Sequence, residues 1–205
     1  MTALAHALGR RTTAQSSLLT DIALIALGSA VMAGLAQLSF RLPFTPVPIT
    51  GQTLGVLLVG ASLGAWRGGA AMLLYLGEGA AGLPVFAEGM SGVHWLTPAA
   101  PTGGYLWGFV VAAVVIGGLA QMGWDRGLGS AIGAMLVGEV IIFSFGVPWL
   151  ANLFGMPAEQ ALEAGLYPFV IGEVLKIMIA AGLLPAAWRL VGRDDASMSL
   201  PSFRR

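Results

Sequence analysis

The sequence contains no cysteine and few charged residues of either sign. Without cysteine, the chain has no disulfides, no thiolate metal ligands and no cysteine nucleophile. The two histidines, His6 and His94, lie far apart, which argues against a histidine-rich metal site. The ten basic and ten acidic residues cancel, so total charge indicates neither a nucleic acid nor an anionic surface as partner. Only 10% of the 205 residues are charged, whereas soluble domains carry about a quarter.

Hydrophobic residues dominate what is present. They make up 57% of the chain, and the mean hydropathy is +0.82, which is typical of an integral membrane protein. The segment before the first apolar run contains Arg10 and Arg11 and shows no secretory signal pattern. We therefore expect residues 1–17 to form a cytoplasmic tail, residues 18–192 a membrane domain and residues 193–205 a second cytoplasmic tail.

Long apolar runs set the number of membrane-spanning helices. Such a helix needs about 20 mainly apolar residues to cross about 30 Å of hydrocarbon. Two of the runs are short and flank Arg67, which predicts two neighbouring helices joined by a tight turn. The sequence predicts an all-α integral membrane protein with six transmembrane helices in a compact bundle, because small residues spaced by four let helix backbones approach closely. The predicted spans are residues 22–40, 51–66, 68–83, 104–122, 128–154 and 166–191.

The distribution of Lys and Arg predicts the orientation of the bundle. Cytoplasmic loops carry an excess of these residues. With a cytoplasmic amino terminus and six spans, only Arg41 falls outside and only Lys176 lies within a span. Both termini are then cytoplasmic, and the loops at 41–50, 84–104 and 155–168 lie on the outer face. The middle loop is too long for a simple connector and suits a lid. The basic residues on the inner side are Arg10, Arg11, Arg67, Arg126, Arg189, Arg193, Arg204 and Arg205.

Glu173 and Lys176 are the two acid–base partners of the sixth predicted span. A charge at the bilayer centre costs about 2.5–3.5 kcal/mol on insertion scales, so such residues face a cavity or each other. Positions three apart are neighbours on a helix, which brings the two side chains together. The pattern fits a structural ion pair as well as a ligand-binding pair. Glu139 is a lone acid in the fifth span, either protonated or paired with Lys176.

Four motifs occur in this order along the chain: "LPFTPVPITGQTLGVLLVGASLG", "PTGGYLWGF", "FGVPWLA" and "GEVLK". In sequence and order they resemble the motifs of the BioY family, the biotin-capturing S components of energy-coupling factor (ECF) transporters. The resemblance implies outer loops that cap a high-affinity biotin pocket, with biotin as transported ligand and no cofactor. It also implies location in the bacterial cytoplasmic membrane and a partner module of one membrane coupling protein and two ATPases, with some members acting without that module. Biotin would be released inward when the chain reorients on the ATP-driven module.

The resemblance also implies roles for individual residues. In relatives the last helix is similar to "GDxxK", whose acid and lysine contact the ligand, so Glu173 and Lys176 carry over by position, with Glu in place of Asp. Glu88 follows "PVFA", where the family places a polar contact. Arg41 is a candidate on charge alone, because it is the lone cation predicted on the outer side and suits an anionic carboxylate. Each has a simpler interpretation, a solvated loop charge for Glu88 and a residue that ends the first helix for Arg41.

Three further candidates are apolar or backbone contacts, and two are docking residues. Phe86 and Tyr105 would supply pocket walls, and Gly104 would let the backbone approach the ligand closely. Core packing or a helix-start turn explains the same residues. Ala26 and Ala30, four apart on the first span, match the small residues with which the family docks its coupling protein, although packing inside the bundle would demand them too.

Two other function classes fit the intramembrane charges. A small intramembrane enzyme needs a nucleophile or metal constellation, and the sequence shows neither. A proton or ion channel needs polar residues in a continuous line across several depths. The chain also contains no GxxxxGK[ST] phosphate-binding loop, so it cannot hydrolyse ATP and transport must draw on a partner or a gradient.

Overall fold

The computed structural model describes Leu4 and residues 14–198, and the side-chain surroundings of Leu4 and residues 18–190. Within these residues, five helices are long and apolar enough to cross a membrane. A sixth, shorter helix lies between the last two of them. The predicted tails at 1–17 and 193–205 lie largely outside the described residues, although the last helix continues to Met198. The helices are α1 Ala14–Gln37, α2 Gln52–Ala80, α3 Gly103–Gln121, α4 Leu128–Phe154, α5 Ala158–Gly165 and α6 Val170–Met198.

Helix α2 reverses direction at Gly64 and therefore supplies two membrane passes. Gly64 has a φ of 82°, which glycine adopts without steric cost. A Cβ built on Gly68 would lie 3.0 Å from the Cα of Gly60, whereas residues eight apart in a continuous helix are about 12 Å apart. The two halves are therefore antiparallel, and the prediction of six transmembrane helices is confirmed. The turn lies at Gly64 rather than at Arg67.

Glycine lets the α2 turn pack tightly against α3. A Cβ on Gly117 would lie 2.4 Å from the backbone nitrogen of Ala65, and one on Gly60 would lie 3.0 Å from the Cα of Ala113. Such close backbone contact is the usual way in which helices associate in lipid, because the hydrophobic effect does not drive helix association there. The bundle is compact at this point, as the spacing of small residues predicted.

Three connections lie at the same end of the bundle, which we call the loop end. Residues 38–51 form a short hairpin, in which Ser39–Phe40 (β1) pairs antiparallel with Ile49–Thr50 (β2). Residues 81–102 contain two 3₁₀ turns, Ala87–Gly89 and Val93–Leu96. The third connection carries α5, whose helical fold the sequence did not predict because the segment is short and partly polar. The loop end therefore has structured connections.

At the end of the bundle opposite the loop end, a buried polar contact attaches α6 to the connection between α3 and α4. Asp125, in the connection between α3 and α4, is fully buried and accepts a hydrogen bond from the indole nitrogen of Trp188. The Arg126 guanidinium lies 4.7 Å from the centre of the Trp188 ring, at a distance typical of a cation–π contact. Burial raises the pKa of the Asp125 carboxyl, against the effect of the Trp188 hydrogen bond. Trp188 thus attaches the far end of α6 to the neighbouring loop.

Candidate ligand-binding site

Three polar side chains meet where the first turns of α2 and α6 approach each other. The Lys176 ammonium donates to Glu173 Oε1 at 2.8 Å and to Thr53 Oγ1 at 2.9 Å. The Thr53 hydroxyl in turn donates to Glu173 Oε2 at 2.6 Å. The side chains of Glu173 and Lys176 are only 7% and 13% exposed. We call these three residues the Glu173 cluster; each of its members has at least two polar partners.

Local sequence explains why the cluster forms. Lys176 follows Glu173 by one turn of α6, so both project on the same side of the helix. Glu173 lies in the first turn of α6, where the helix dipole stabilises a negative charge. Thr53 belongs to the first turn of α2, which the β1–β2 hairpin brings into the bundle. The predicted pairing of Glu173 with Lys176 is therefore present, and Thr53 is a third member that sequence reasoning missed.

An open groove of about 490 Å³ lies between α4 and α6 beside this cluster, and several of its lining side chains, among them Val140 and Val174, are exposed on the surface of the bundle. Its size falls within the range of about 300–1,000 Å³ that is typical of small-molecule pockets. We call it the α4–α6 groove. Its walls are almost entirely apolar, and its polar members are two carboxyl groups and one hydroxyl. The lining residues are Leu136, Glu139, Val140, Phe143, Ser144, Val147, Pro148, Leu162, Leu166, Val170, Glu173, Val174 and Ile177.

A second cavity of about 40 Å³ lies towards the loop end, on the other side of Phe143. It is far smaller than a typical ligand pocket. Thr53 lines it, Glu173 lines the groove, and Phe143 lines both. The Phe143 ring packs edge-on against Tyr105, with ring centres 5.9 Å apart. Phe143 therefore separates the two cavities on either side of the Glu173 cluster.

Glu139 lies on α4 and faces the groove. The residue is only 6% exposed, and neither carboxylate oxygen accepts a hydrogen bond from an N–H or O–H donor of the described residues. Its carboxyl lies within hydrogen-bonding reach of the Glu173 carboxyl, so the two groups can share one proton, and it also interacts electrostatically with Lys176. Lys176, however, donates its described hydrogen bonds to Glu173 and Thr53. The expected pairing of Glu139 with Lys176 is therefore not seen as a hydrogen bond.

Arg41 and Glu88 contact each other across the outer loops. The Arg41 Nε donates to both Glu88 oxygens, at 2.6 and 2.8 Å, and a second nitrogen of the guanidinium also donates to the carboxylate. These hydrogen bonds lower the pKa of Glu88 and raise that of Arg41. The pair connects the first loop to the middle loop, and we call it the loop clasp. Its two members were predicted as ligand contacts, and that role stays a prediction.

The remaining ligand candidates are engaged in packing. Phe86 is buried with its ring edge-on to Tyr75, at 5.5 Å between ring centres. The Tyr105 hydroxyl donates to the backbone carbonyl of Gly165 at 2.7 Å. Gly104 lies against α4, where a Cβ would approach the Cβ of Trp149 to 2.4 Å. These three residues do not line the groove, and a ligand contact for them stays a prediction.

The small residues of α1 lie on an open face. Ala26, Ala30 and Gly34 are all exposed in the described structure, and a Cβ added at Gly34 would meet nothing within 4 Å. This excludes packing inside the bundle as the reason for the stripe. Helix α1 is also the least buried of the five membrane-length helices, since only 17% of its most apolar window is buried.

Comparisons with known proteins match nearly the whole chain. The sequence profile of the BioY family matches residues 7–193. Biotin transporter BioY of Rhizobium etli is 37% identical over 78% of this chain and 89% of its own length. Biotin transporter BioY2 of Lactococcus lactis subsp. cremoris is also 37% identical, over 80% of this chain and 88% of its own. A crystal structure of the S-component for biotin from an ECF-type ABC transporter shares the fold, with a TM-score of 0.77 at 23% identity over 87% of this chain and 95% of that chain.

Proposed function

Because the chain belongs to the BioY family, we propose that it binds biotin and carries it across a membrane as the S component of an ECF-type ABC transporter. The relatives that match most of its length are named as biotin transporters. The family consists of transport proteins, so the intramembrane charges serve a transported ligand rather than an enzymatic reaction. The multi-pass helical bundle is the architecture that such a function requires.

The observation that carries this proposal is the buried Glu173 cluster at the edge of a cavity of ligand size. Biotin has a ureido ring with two N–H donors and one carbonyl acceptor, an apolar thioether ring, an apolar chain and a carboxylate. Glu173 lines the groove and can accept from a ureido nitrogen. Lys176 does not line the groove, but it is bonded to Glu173 and has a third N–H that can donate to a ligand oxygen. The apolar walls of the groove suit the remaining atoms. A purely structural ion pair would not require a cavity beside it.

The clasp residues belong to the proposal as a contact between the two outer loops, neither of which lines the α4–α6 groove. Arg41 and Glu88 join the first and middle loops above the bundle. A ligand carboxylate would compete with Glu88 for the Arg41 guanidinium, because carboxylates form the same two-pronged hydrogen bonds with Arg. We place the loop end on the outer face of a bacterial cytoplasmic membrane, with both termini inside, in keeping with the distribution of basic residues.

The energy source in this proposal is a separate ATP-hydrolysing module with a membrane coupling protein and two ATPases. The chain has no phosphate-binding loop of its own. The exposed Ala26 and Ala30 on α1 offer a surface on which another helix can approach closely. A channel function has less support, because residues 177–187 of α6, between Lys176 and Trp188, are all apolar or glycine.

Calorimetry with biotin and the purified protein tests the binding site. We expect saturable binding by the wild type and an affinity about tenfold to a hundredfold lower in Glu173→Gln, because a hydrogen bond to a charged group contributes about 1.5–3 kcal/mol. Glu159→Gln, on the exposed face of α5, is the matched control and should bind as the wild type does. Unchanged affinity in Glu173→Gln would remove that residue from the site.

Uptake of labelled biotin tests the partner. Cells that contain the chain together with the ATPase module should accumulate biotin, and cells that contain the chain alone should accumulate much less. Replacing both Ala26 and Ala30 by Leu should lower uptake without lowering biotin affinity, since bulky side chains block close helix approach. Equal uptake with and without the module would contradict the proposed energy source but not the binding function.

A further inference from the structure

Glu139 is the carboxyl of the groove that receives no hydrogen bond from Lys176 or Thr53 of the cluster. Its two oxygens accept no hydrogen bond from a donor of the described residues, and the carboxyl of Glu173 lies within hydrogen-bonding reach, although the residue is only 6% exposed. Buried polar groups are almost always satisfied, and each exception calls for an explanation. Ionisable residues at membrane depth usually serve a function, because their insertion is costly. Since Glu139 lines a cavity of about 490 Å³, a molecule in that cavity can supply the missing partner.

The polar groups around the groove match the polar edge of one chemical class, the cyclic ureas. We propose that Glu139 is a third polar ligand contact, accepting one ureido N–H while Glu173 accepts the other and Lys176 donates to the ureido carbonyl. This inference rests on the proposed biotin function. A cyclic urea presents two N–H donors on either side of one carbonyl acceptor. The groove supplies two carboxyl groups, and the Lys176 ammonium, which does not line the groove, lies directly beside Glu173.

The existing hydrogen bonds leave capacity for these contacts. An ammonium has three donors, and Lys176 uses two in the described structure, towards Thr53 and Glu173. Each Glu173 oxygen accepts one described hydrogen bond and has a second lone pair. Glu139 accepts no hydrogen bond from a donor of the described residues, and even when it shares a proton with Glu173 its remaining lone pairs can accept a ligand N–H. Binding a cyclic urea therefore adds contacts without breaking the cluster.

The distribution of polar and apolar groups along the groove also matches this ligand. Its carboxyl groups come from facing helices, Glu139 from α4 and Glu173 from α6. Away from them the walls are aliphatic or aromatic, including Phe143 and Val147 on α4 and Val174 on α6. A molecule with a small polar head and an apolar body fits this division better than a polar solute does.

The test combines biotin affinity with thermal stability for variants at position 139. Glu139→Leu removes an unpartnered buried carboxyl, so the unfolding temperature in detergent should stay the same or rise. Its biotin affinity should fall about tenfold to a hundredfold, since a hydrogen bond to a carboxylate is lost. Glu139→Gln keeps one acceptor oxygen and should lose less affinity than Glu139→Leu. Asp125→Asn, which alters the other buried carboxyl with an unpartnered oxygen, is the matched control and should retain full affinity.

A second ligand tests the assignment to the ureido ring. Desthiobiotin keeps the ureido group and lacks the sulfur, so Glu139→Leu should weaken both ligands by the same factor. A loss restricted to biotin would overturn the ureido contact. Unchanged biotin affinity in Glu139→Leu, or loss of affinity together with thermal stability in both position-139 variants, would overturn the role of Glu139 while leaving the biotin function intact. Failure of the wild type to bind biotin would overturn both.

Discussion

Two of the acid–base pairs in the described structure, the loop clasp and the pair of Glu173 with Lys176, have the same chemistry in opposite surroundings. The loop clasp joins Arg41 to Glu88 with a bidentate contact, but their side chains are 59% and 29% exposed. Glu173 and Lys176 are 7% and 13% exposed and share a hydroxyl partner in Thr53. Water screens the first pair and solvates its members when they separate. The second pair has no such alternative, because leaving either charge unpaired in a low-dielectric interior is costly.

The comparison shows that hydrogen-bond geometry alone does not predict how much an ion pair contributes to stability. The clasp has more direct hydrogen bonds between its two members than the buried pair has. Exposed pairs nevertheless contribute little to stability, and they can open and close at low cost. The clasp is therefore suited to a cover that moves, and the buried pair to a fixed part of the site. The following predictions test this division, from the largest expected effect to the smallest.

Breaking the buried pair from one side should have the largest effect. Lys176→Met leaves Glu173 buried with only Thr53 as partner, which should cost about 3–5 kcal/mol of unfolding free energy and abolish measurable biotin binding. The double variant Glu173→Gln/Lys176→Met removes both charges and should regain most of the stability but not the binding. Thermal unfolding and calorimetry in detergent measure both. Equal stability of the single and double variants would show that an unpaired charge at this position is not costly, and would contradict the distinction between the buried pair and the exposed clasp.

Removing the shared hydroxyl should have an intermediate effect. Thr53→Val keeps the shape of the side chain but removes the donor to Glu173 Oε2 and the acceptor of Lys176. We expect a loss of about 1–3 kcal/mol in unfolding free energy, because hydrogen bonds with charged partners disappear. Thr97→Val, in the exposed middle loop, removes a hydroxyl that bonds only to uncharged backbone groups, the carbonyl of His94 and the N–H of Ala99, and should change stability much less. If both variants lose the same unfolding free energy, the buried hydroxyl of Thr53 contributes no more to stability than the hydroxyl of Thr97, and the expectation is wrong.

Neutralising the clasp should have the smallest effect on stability and a measurable effect on the loops. Glu88→Gln should leave the unfolding temperature almost unchanged, since exposed pairs contribute at most about 1 kcal/mol. Amide hydrogen exchange in residues 81–102 should become about threefold to fivefold faster, and high salt should produce a similar change in the wild type. A large loss of stability in Glu88→Gln would show that the clasp is structural.

The pH dependence of the clasp follows from Glu88. The hydrogen bonds from Arg41 lower the pKa of this carboxyl, so the contribution of the clasp is present above the ordinary Glu pKa of about 4.3 and is lost as the pH falls through the lower folded value. Loop exchange, corrected for intrinsic rates, should therefore be constant from pH 5 to 8. A change near neutral pH would assign the control of the loops to another group.

The fold was largely predictable because lipid imposes a simple rule on sequence. Apolar runs of sufficient length mark the membrane helices, and that rule located every long helix of the described structure. It could not locate the turn at Gly64, which depends on a single positive φ rather than on hydropathy. It also missed α5, because a short, partly polar helix at the loop end has no hydropathy signal.

The site was most predictable where its members share a helix, and the approach of Glu139 to Lys176 was only one of two alternatives. Glu173 and Lys176 lie one turn apart, so spacing alone indicated their contact. Thr53 and Glu139 reach the same place from α2 and α4, and no local pattern connects those helices to α6. The loop clasp joins residues 47 positions apart in two loops, which sequence spacing cannot pair. Long-range packing of the helices decides these contacts.

Helix α6 is held by side-chain hydrogen bonds near both of its described ends, to Thr53 at one and to Asp125 at the other. Between them, Pro185 lacks the amide hydrogen that would complete the helical ladder at that point. If the segment at Glu173 moves, then either Trp188 loses its hydrogen bond to Asp125 or the helix bends near Pro185. Pro185→Ala would make α6 stiffer, so the helix would bend less near residue 185. Motion at Glu173 would then be transmitted to Trp188 on the far side of the membrane.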